Sequence, residues 1–266
     1  METPAGELLT RDMAPELFRV LDGLRERLRT PPIHNVWLTP DFNAGVMQGP
    51  RLGFFGRHRT HLFVGLPLMK SLTVEQFQAV LAHELGHLSQ GHARMPRFCS
   101  TPFPFVRAHE YEADAAAIEL TSARSAAQAL TAVSIVGSYL RRKYWPKIHS
   151  AARELPQPAF APYSEFMATA IQDVPAEELR SWLETALATK TSRDDTHPSL
   201  ADRLMAMGAE AEFAPPSAGN SADRLLGAEC ARLESVLDAQ WRERVAESWR
   251  RVHENARTQA ALIPVP

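Results

Sequence analysis

The chain has 266 residues, 45% of them hydrophobic, which is enough for one well-packed main domain and a smaller appendage. Its 29 basic and 31 acidic side chains give a formal net charge of -2, so no basic surface for nucleic acid is indicated. The two cysteines, Cys99 and Cys230, lie far apart and outside any C-x-x-C pair, so neither a disulfide framework nor a thiolate metal site is expected.

The first residues carry acidic groups and lack the apolar segment that a secretory signal needs. The longest apolar stretches, near 62–69 and 126–140, are too short or too polar to cross a bilayer. We therefore expect a soluble chain without a membrane span and a cytoplasmic location.

The first part of the chain predicts one helix and then a small sheet. Apolar residues recur every three or four positions over 14–28, which is typical of an amphipathic helix: Leu17, Val20, Leu21, Leu24 and Leu28. Between 35 and 68, short apolar runs are separated by Pro40, Gly49-Pro50 and Gly56, which predicts several short strands.

The remainder of the chain is mainly helical in pattern. A helix begins near Thr73, a candidate N-cap, and the prolines over 96–105 predict a loop after it. Further helices are predicted over 106–120, 123–144 (ended by Pro146), 177–190 and 222–258, with a proline-marked connection at 156–162 and a linker at 215–220. We predict a mostly helical α+β fold with a small mixed sheet, divided into a main domain over 1–212 and a linker with a C-terminal helical extension over 213–266.

The segment His83-Glu84-Leu85-Gly86-His87 has the spacing of a metal site on a helix. Two histidines four residues apart project from one helix face, so His83 and His87 can bind the same ion. Glu84 can then take a proton from a metal-bound water as a general base. The alternative is an ordinary helix with two core or surface histidines, but burying them with a glutamate would be costly without a partner such as a metal.

A catalytic zinc usually has three protein ligands, so another ligand is needed. The three-histidine pattern fails, because Gln90 and Ala93 occupy the positions that would need glycine and histidine. Glu110 is the better candidate, with Asp114 one helical turn along the same face as a partner for a ring N–H of a ligand histidine. The alternative is a solvated acidic helix face. We predict one zinc ion per chain, bound by His83, His87 and Glu110.

These motifs resemble those of the integral-membrane zinc metallopeptidases typified by HtpX and the CAAX prenyl protease, which are gluzincins with the signature AVLAHELGH followed by E-x-x-x-D. The resemblance covers roughly residues 31–207 and implies a zincin-type metallopeptidase domain with an active-site helix. It also implies that Asn43 and Ala44 lie on a substrate-binding edge strand. His197 would stand near the scissile carbonyl, and Arg203 would support the same wall.

Membrane-embedded relatives commonly place hydrophobic hairpins between the histidine helix and the glutamate helix, and residues 91–107 are too few for one. The sequence therefore predicts a soluble zinc endopeptidase that acts on peptides or proteins, although membrane association is possible among relatives. The alternatives are a noncatalytic zinc-binding interaction protein and a latent enzyme whose cleft is covered by the C-terminal helix or the proline-rich connection. The sequence does not indicate an oligomeric state.

Overall fold

The computed structural model describes residues 6–50, 58–89, 103–166, 171, 173–192, 197–213 and 219–261. The strands are β1 (Glu7–Leu9), β2 (Asn35–Thr39), β3 (Ala44–Pro50) and β4 (His58–Gly65). The α-helices are α1 (Pro15–Leu28), α2 (Leu66–Ser71), α3 (Val74–Ser89), α4 (Phe103–Leu120), α5 (Ala123–Tyr139), α6 (Trp145–Ser150), α7 (Ala176–Ala188), α8 (Leu200–Met207), α9 (Ser221–Leu226) and α10 (Cys230–Ala261). The predicted mostly helical α+β fold with a small sheet is confirmed.

The sheet is mixed, as predicted, with the strand order β1-β2-β4-β3. Strands β2 and β4 are parallel, whereas β1 pairs with β2 and β3 with β4 in antiparallel fashion. Alternate residues of the two inner strands are fully buried and belong to the same core as residues of α1 and α3: Val36, Leu38, Leu62 and Val64. Strand β3 lies at an edge of the sheet, beside α3.

Helix α3 begins with a reciprocal pair of capping hydrogen bonds. The hydroxyl of Thr73 accepts from the backbone N–H of Gln76 at 3.3 Å, and the Gln76 side chain accepts from the N–H of Thr73 at 3.0 Å. This capping box satisfies donors that have no partner within the helix. Phe77, Leu81 and Leu85 are fully buried along the helix. The predicted helix start is confirmed, and both its cap and its core face fix the position of the helix.

Two expectations about prolines are wrong. The loop predicted over 96–105 lies outside the described residues up to 102, but α4 already begins at Phe103, with Pro104 in its first turn. Pro146 does not end the preceding helical stretch, because a π-helical turn over 140–144 leads directly into α6 at Trp145. Pro104 lies in the first turn of α4, where the N–H that proline lacks would have no partner within the helix. Pro146 directly follows the π-helical turn, so the chain stays helical up to and through this proline.

The helix predicted over 222–258 is interrupted. Helix α9 ends at Leu226, and Gly227 follows with a φ of 55°. A short 3-10 turn over 227–229 then leads into α10. Glycine adopts positive φ without a steric penalty, which allows the chain to change direction here.

Helices α9 and α10 pack on the same core as the first part of the chain. They contribute six large apolar side chains, each at most 4% exposed: Leu225, Leu226, Leu233, Leu237, Trp241 and Trp249. Buried Lys70 of α2 donates to the Glu234 carboxylate of α10 at 2.8 Å and to the Tyr163 carbonyl at 2.8 Å. The boundary at residue 212 stays a prediction. Within the described ranges, no helix has the length and apolarity required to cross a membrane.

Candidate metal centre

Helices α3 and α4 approach each other closely at Gly86. A Cβ atom at Gly86 would lie 3.1 Å from Ala113 Cα and 3.3 Å from Ala116 Cβ. Such distances are tighter than normal van der Waals contact, so a glycine allows the two helices to pack at this spacing. The close approach is needed because α3 carries the two candidate histidine ligands and α4 carries Glu110.

The same substitution in two helices tests this packing. Gly23 of α1 has open space where a Cβ atom would lie, so Gly23→Ala should gain about 0.5–1 kcal/mol from helix propensity. Gly86→Ala has the same gain in helix propensity, but its new methyl group would crowd Ala113 of α4. The Gly86→Ala variant should therefore be about 1–3 kcal/mol less stable than Gly23→Ala. Urea denaturation of both variants measures this difference in stability. Equal stabilisation by the two substitutions would show that α3 and α4 can move apart at Gly86 without a cost.

Three side chains from α3 and α4 converge on one point. The Nε2 atoms of His83 and His87 are 3.2 Å apart. Glu110 Oε2 lies 3.6 Å from His83 Nε2, and Glu110 Oε1 lies 3.4 Å from His87 Nε2. Glu110 is only 4% exposed. Among the described residues, this is the group of histidine, cysteine, aspartate and glutamate side chains that could hold a metal ion.

The spacing of these atoms fits zinc. Nitrogen and oxygen ligands about 2.0–2.2 Å from a tetrahedral zinc ion lie about 3.3–3.6 Å from one another. The two Nε2 atoms are 3.2 Å apart, and each has a different oxygen of Glu110 at 3.4 or 3.6 Å, which is close to that range. Taken as one ligand atom from each residue, the three atoms lie within 4.8 Å of one another. Two imidazoles and one carboxylate also form a donor set used by catalytic zinc, which leaves one position for water or substrate. The predicted ligand residues are therefore brought together in a suitable geometry.

Asp114 contacts the far side of the His83 ring. Its Oδ1 lies 2.9 Å from His83 Nδ1, so this ring nitrogen donates to the carboxylate and Nε2 faces Glu110 and His87. Burial lowers the pKa of His83, but the hydrogen bonds to Asp114 and Glu110 outweigh burial and raise it to about 9. Burial raises the pKa of Asp114, and its bonds to Arg203 and His83 lower it below its usual value.

Residues at and beside α8 contact the carboxylates of Glu110 and Asp114 on α4. His197 Nδ1 lies 2.7 Å from Glu110 Oε2, and Arg203 donates from Nε to Asp114 Oδ2 at 2.9 Å. Burial raises the pKa of Glu110, but the contacts with His197 and His83 lower it well below its usual range. The sequence groups His197 and Arg203 in one wall of the cleft and gives no sign of these two pairings.

Glu84 and the edge strand are the remaining predicted site residues. Glu84 is half-buried on α3, next to His83, and its charge raises the pKa values of His83 and Arg203. Asn43 is exposed, and its carbonyl accepts from the N–H of Gly65 at 2.8 Å. Ala44 is the first residue of β3, which packs against α3. Strand β3 is at an edge of the sheet, and Asn43 stands just before it. Substrate binding at these residues stays a prediction.

Comparison with known protein families gives a match that contains the histidine helix. Residues 40–101 match the profile of peptidase family M48. The match covers a minor part of the chain, from the residues before β3 to beyond α3, and it supports assignment to this metallopeptidase family. Searches of curated proteins and of solved structures gave no match.

The M48 match implies a zinc metallopeptidase that acts on peptide or protein substrates. The matched residues include His83, Glu84 and His87. Glu110, Asp114, His197 and Arg203 lie outside them, and the geometry described above is what connects these four residues to the matched helix. The resemblance to HtpX and the CAAX prenyl protease in particular stays a prediction, as does the cytoplasmic location.

We expect zinc binding at the candidate metal centre to release a proton. The pKa of about 9 means that His83 is mainly protonated at pH 7, whereas a zinc ligand must be neutral. The apparent zinc affinity should therefore rise with pH by up to about tenfold per unit and level off above the His83 pKa. Competition with a chelator calibrated at each pH, from about 6.5 to about 9.5, measures this slope. A flat profile below the His83 pKa would contradict the expectation.

Proposed function

We propose that the chain is a zinc-dependent endopeptidase of the HtpX-like type, with His83, His87 and Glu110 as zinc ligands. The observation that carries this proposal is the convergence of three ligand atoms within 4.8 Å of one another, from two helices that pack tightly at Gly86. A zinc ion bound by these atoms would polarise the scissile carbonyl and make the attacking water more acidic. The two-histidine, one-carboxylate set leaves a position open for that chemistry.

Glu84 is proposed as the general base. It follows His83 directly in the helix, so its carboxylate projects beside the ligand face rather than along it. A carboxylate there can accept the proton of the attacking water and pass it to the leaving nitrogen. Glu84 is not one of the three residues whose ligand atoms converge, so the proposal gives it a role in proton transfer and not in metal binding.

His197 is proposed to stabilise the carbonyl oxygen as it becomes negatively charged. Its side chain is 60% exposed, although Nδ1 contacts the buried Glu110. The ring therefore touches the ligand set on one side and faces solvent on the other, which is where a substrate carbonyl could meet an N–H donor. Asp114 supports the same centre by fixing the orientation of the His83 ring.

Strand β3 is proposed to bind the substrate backbone. It is an edge strand of the sheet and begins at Ala44, directly after exposed Asn43. An extended peptide can add to such an edge through main-chain hydrogen bonds, which would make sequence preference weak. Substitutions that disrupt β3 should weaken substrate binding more than an unrelated surface substitution does. Equal effects on substrate affinity would contradict this role.

The test of the proposed function measures metal content and cleavage together. The full chain should contain about one zinc ion and cleave casein and a peptide blocked at both ends. Cleavage should stop after chelation and return on addition of zinc. Activity that survives complete metal removal would contradict the proposal. Stoichiometric zinc without any cleavage would instead favour the noncatalytic or latent alternatives.

A further inference from the structure

We propose that Arg203 is a positioning residue of the metal centre that acts on His83 through Asp114. The inference rests on the proposed function, since it takes His83 to be a metal ligand. Arg203 donates to Asp114 twice, from Nε to Oδ2 at 2.9 Å and from Nη2 to Oδ1 at 2.5 Å. Oδ1 also accepts from His83 Nδ1 at 2.9 Å. Arg203 Nη2 also lies 3.3 Å from His83 Nδ1, but that nitrogen donates to Asp114, so two donor groups face each other there and the bonded route from arginine to the ligand ring runs through the aspartate.

The two hydrogen bonds from Arg203 fix the plane of the Asp114 carboxylate, which a single hydrogen bond would not do. A carboxylate with one partner can rotate about its bond to Cβ, whereas two parallel bonds to a guanidinium set the plane of the group. Because the plane of Asp114 is set, the direction in which Oδ1 accepts from His83 is also set. The ring orientation that points Nε2 at Glu110 and His87 therefore depends on the guanidinium.

Arg203 also supplies the charge that this arrangement needs. Asp114 is 3% exposed, and a buried carboxylate without a cationic partner is costly. A histidine that binds zinc is neutral, so with zinc bound Arg203 would be the cation in contact with Asp114 among the residues that the structure describes. Its guanidinium stays protonated throughout the physiological pH range.

The fold holds Arg203 in place independently of the metal. Helix α8 is capped at its start by Ser199, whose side chain accepts from the N–H of Asp202 at 3.2 Å, and Asp202 in turn accepts from Thr191 at 2.5 Å. Leu204 and Met207 of the same helix are buried in the core. The position of the guanidinium is thus set by a capped and packed helix rather than by a surface loop.

The test compares Arg203→Met with Arg124→Met, which removes an exposed arginine paired with Glu212. Zinc affinity of the full chain is measured by chelator competition, and the ligand geometry by the visible absorption of the cobalt-substituted protein. Arg203→Met should bind zinc about 10–100-fold more weakly and change the cobalt spectrum, as is typical when a partner of a metal ligand is lost. Arg124→Met should alter neither, and Arg203→Lys should recover part of the affinity because lysine keeps the charge but not the fork.

A double-mutant cycle separates positioning from general destabilisation. Because Arg203 is proposed to act through Asp114, Asp114→Asn combined with Arg203→Met should bind zinc no more weakly than Asp114→Asn alone. The combined variant also removes both buried charges, so it stays informative if Arg203→Met alone does not fold. The inference would be overturned if the fold-losses in zinc affinity of the two single variants multiplied in the combined variant. It would also be overturned if Arg203→Met kept the zinc affinity and the cobalt spectrum of the original protein. Zinc affinity is read without substrate, so failure to cleave casein would count against the peptidase proposal alone.

Discussion

Glu84→Gln should reduce the rate of casein cleavage by about 10²–10⁴-fold while leaving zinc bound. The amide is close in size and shape to the carboxylate but cannot accept the proton of the attacking water, so the general-base contribution is lost. The three converging ligand atoms belong to His83, His87 and Glu110 and are untouched by the change. Zinc content and cleavage rate measured on one preparation therefore separate the loss of proton transfer from the loss of metal.

The matched control for this variant is Glu112→Gln on α4. Glu112 is exposed and lies two residues from the proposed ligand Glu110, so the substitution makes the same chemical change close to the centre. Cleavage by Glu112→Gln should equal that of the original protein. If Glu84→Gln retained both zinc and full activity, Glu84 would not be the base. If it lost zinc as well, the carboxylate would have a part in binding the metal.

The centre is predictable from sequence to the extent that it depends on local helix geometry. His83 and His87 are four residues apart in α3, and Glu110 and Asp114 are four residues apart in α4, so each pair shares a helix face wherever the helix lies. The capping box at Thr73 is equally local. These features follow from spacing, and the structure brings both pairs into contact.

The pairing between distant residues could not be predicted in the same way. Arg203 and Asp114 are 89 positions apart, and His197 and Glu110 are 87 apart. Resemblance places His197 and Arg203 near the cleft, but the atom that each one contacts is decided by how α8 packs on α4 and α5. Helix packing of this kind depends on the whole core rather than on a spacing rule.

The errors in the fold have similar causes. Strand β1 spans only Glu7–Leu9, which is too short to show an alternating pattern, and it forms because β2 offers it a partner. Gly227 stands within a periodic helical pattern that tolerates a glycine, so its positive φ and the break between α9 and α10 could not be recognised. Tertiary packing decided both outcomes.

Truncation of the chain after Pro215 should prevent folding. The cut removes six large apolar side chains of α9 and α10 that are at most 4% exposed. Each such side chain contributes about 1.5–3 kcal/mol on burial, so together they contribute on the order of 10 kcal/mol, comparable to the whole stability of a typical domain, about 5–15 kcal/mol. The cut also removes Glu234 and leaves Lys70, which is 4% exposed, without its charged partner. Circular dichroism and limited proteolysis should show an unfolded chain with no cleavage of casein.

A second truncation, after Glu254, provides the control, because the residues of α10 beyond it are mostly exposed and Trp249 is kept. This shorter chain should fold and cleave like the full chain. The latent alternative predicts the opposite result for the cut at Pro215, namely a folded chain with stronger cleavage. A folded and active product of that cut would support both the boundary at residue 212 and a covering role for the C-terminal helix. Loss of folding would instead assign α9 and α10 to the core that holds the histidine helix in place.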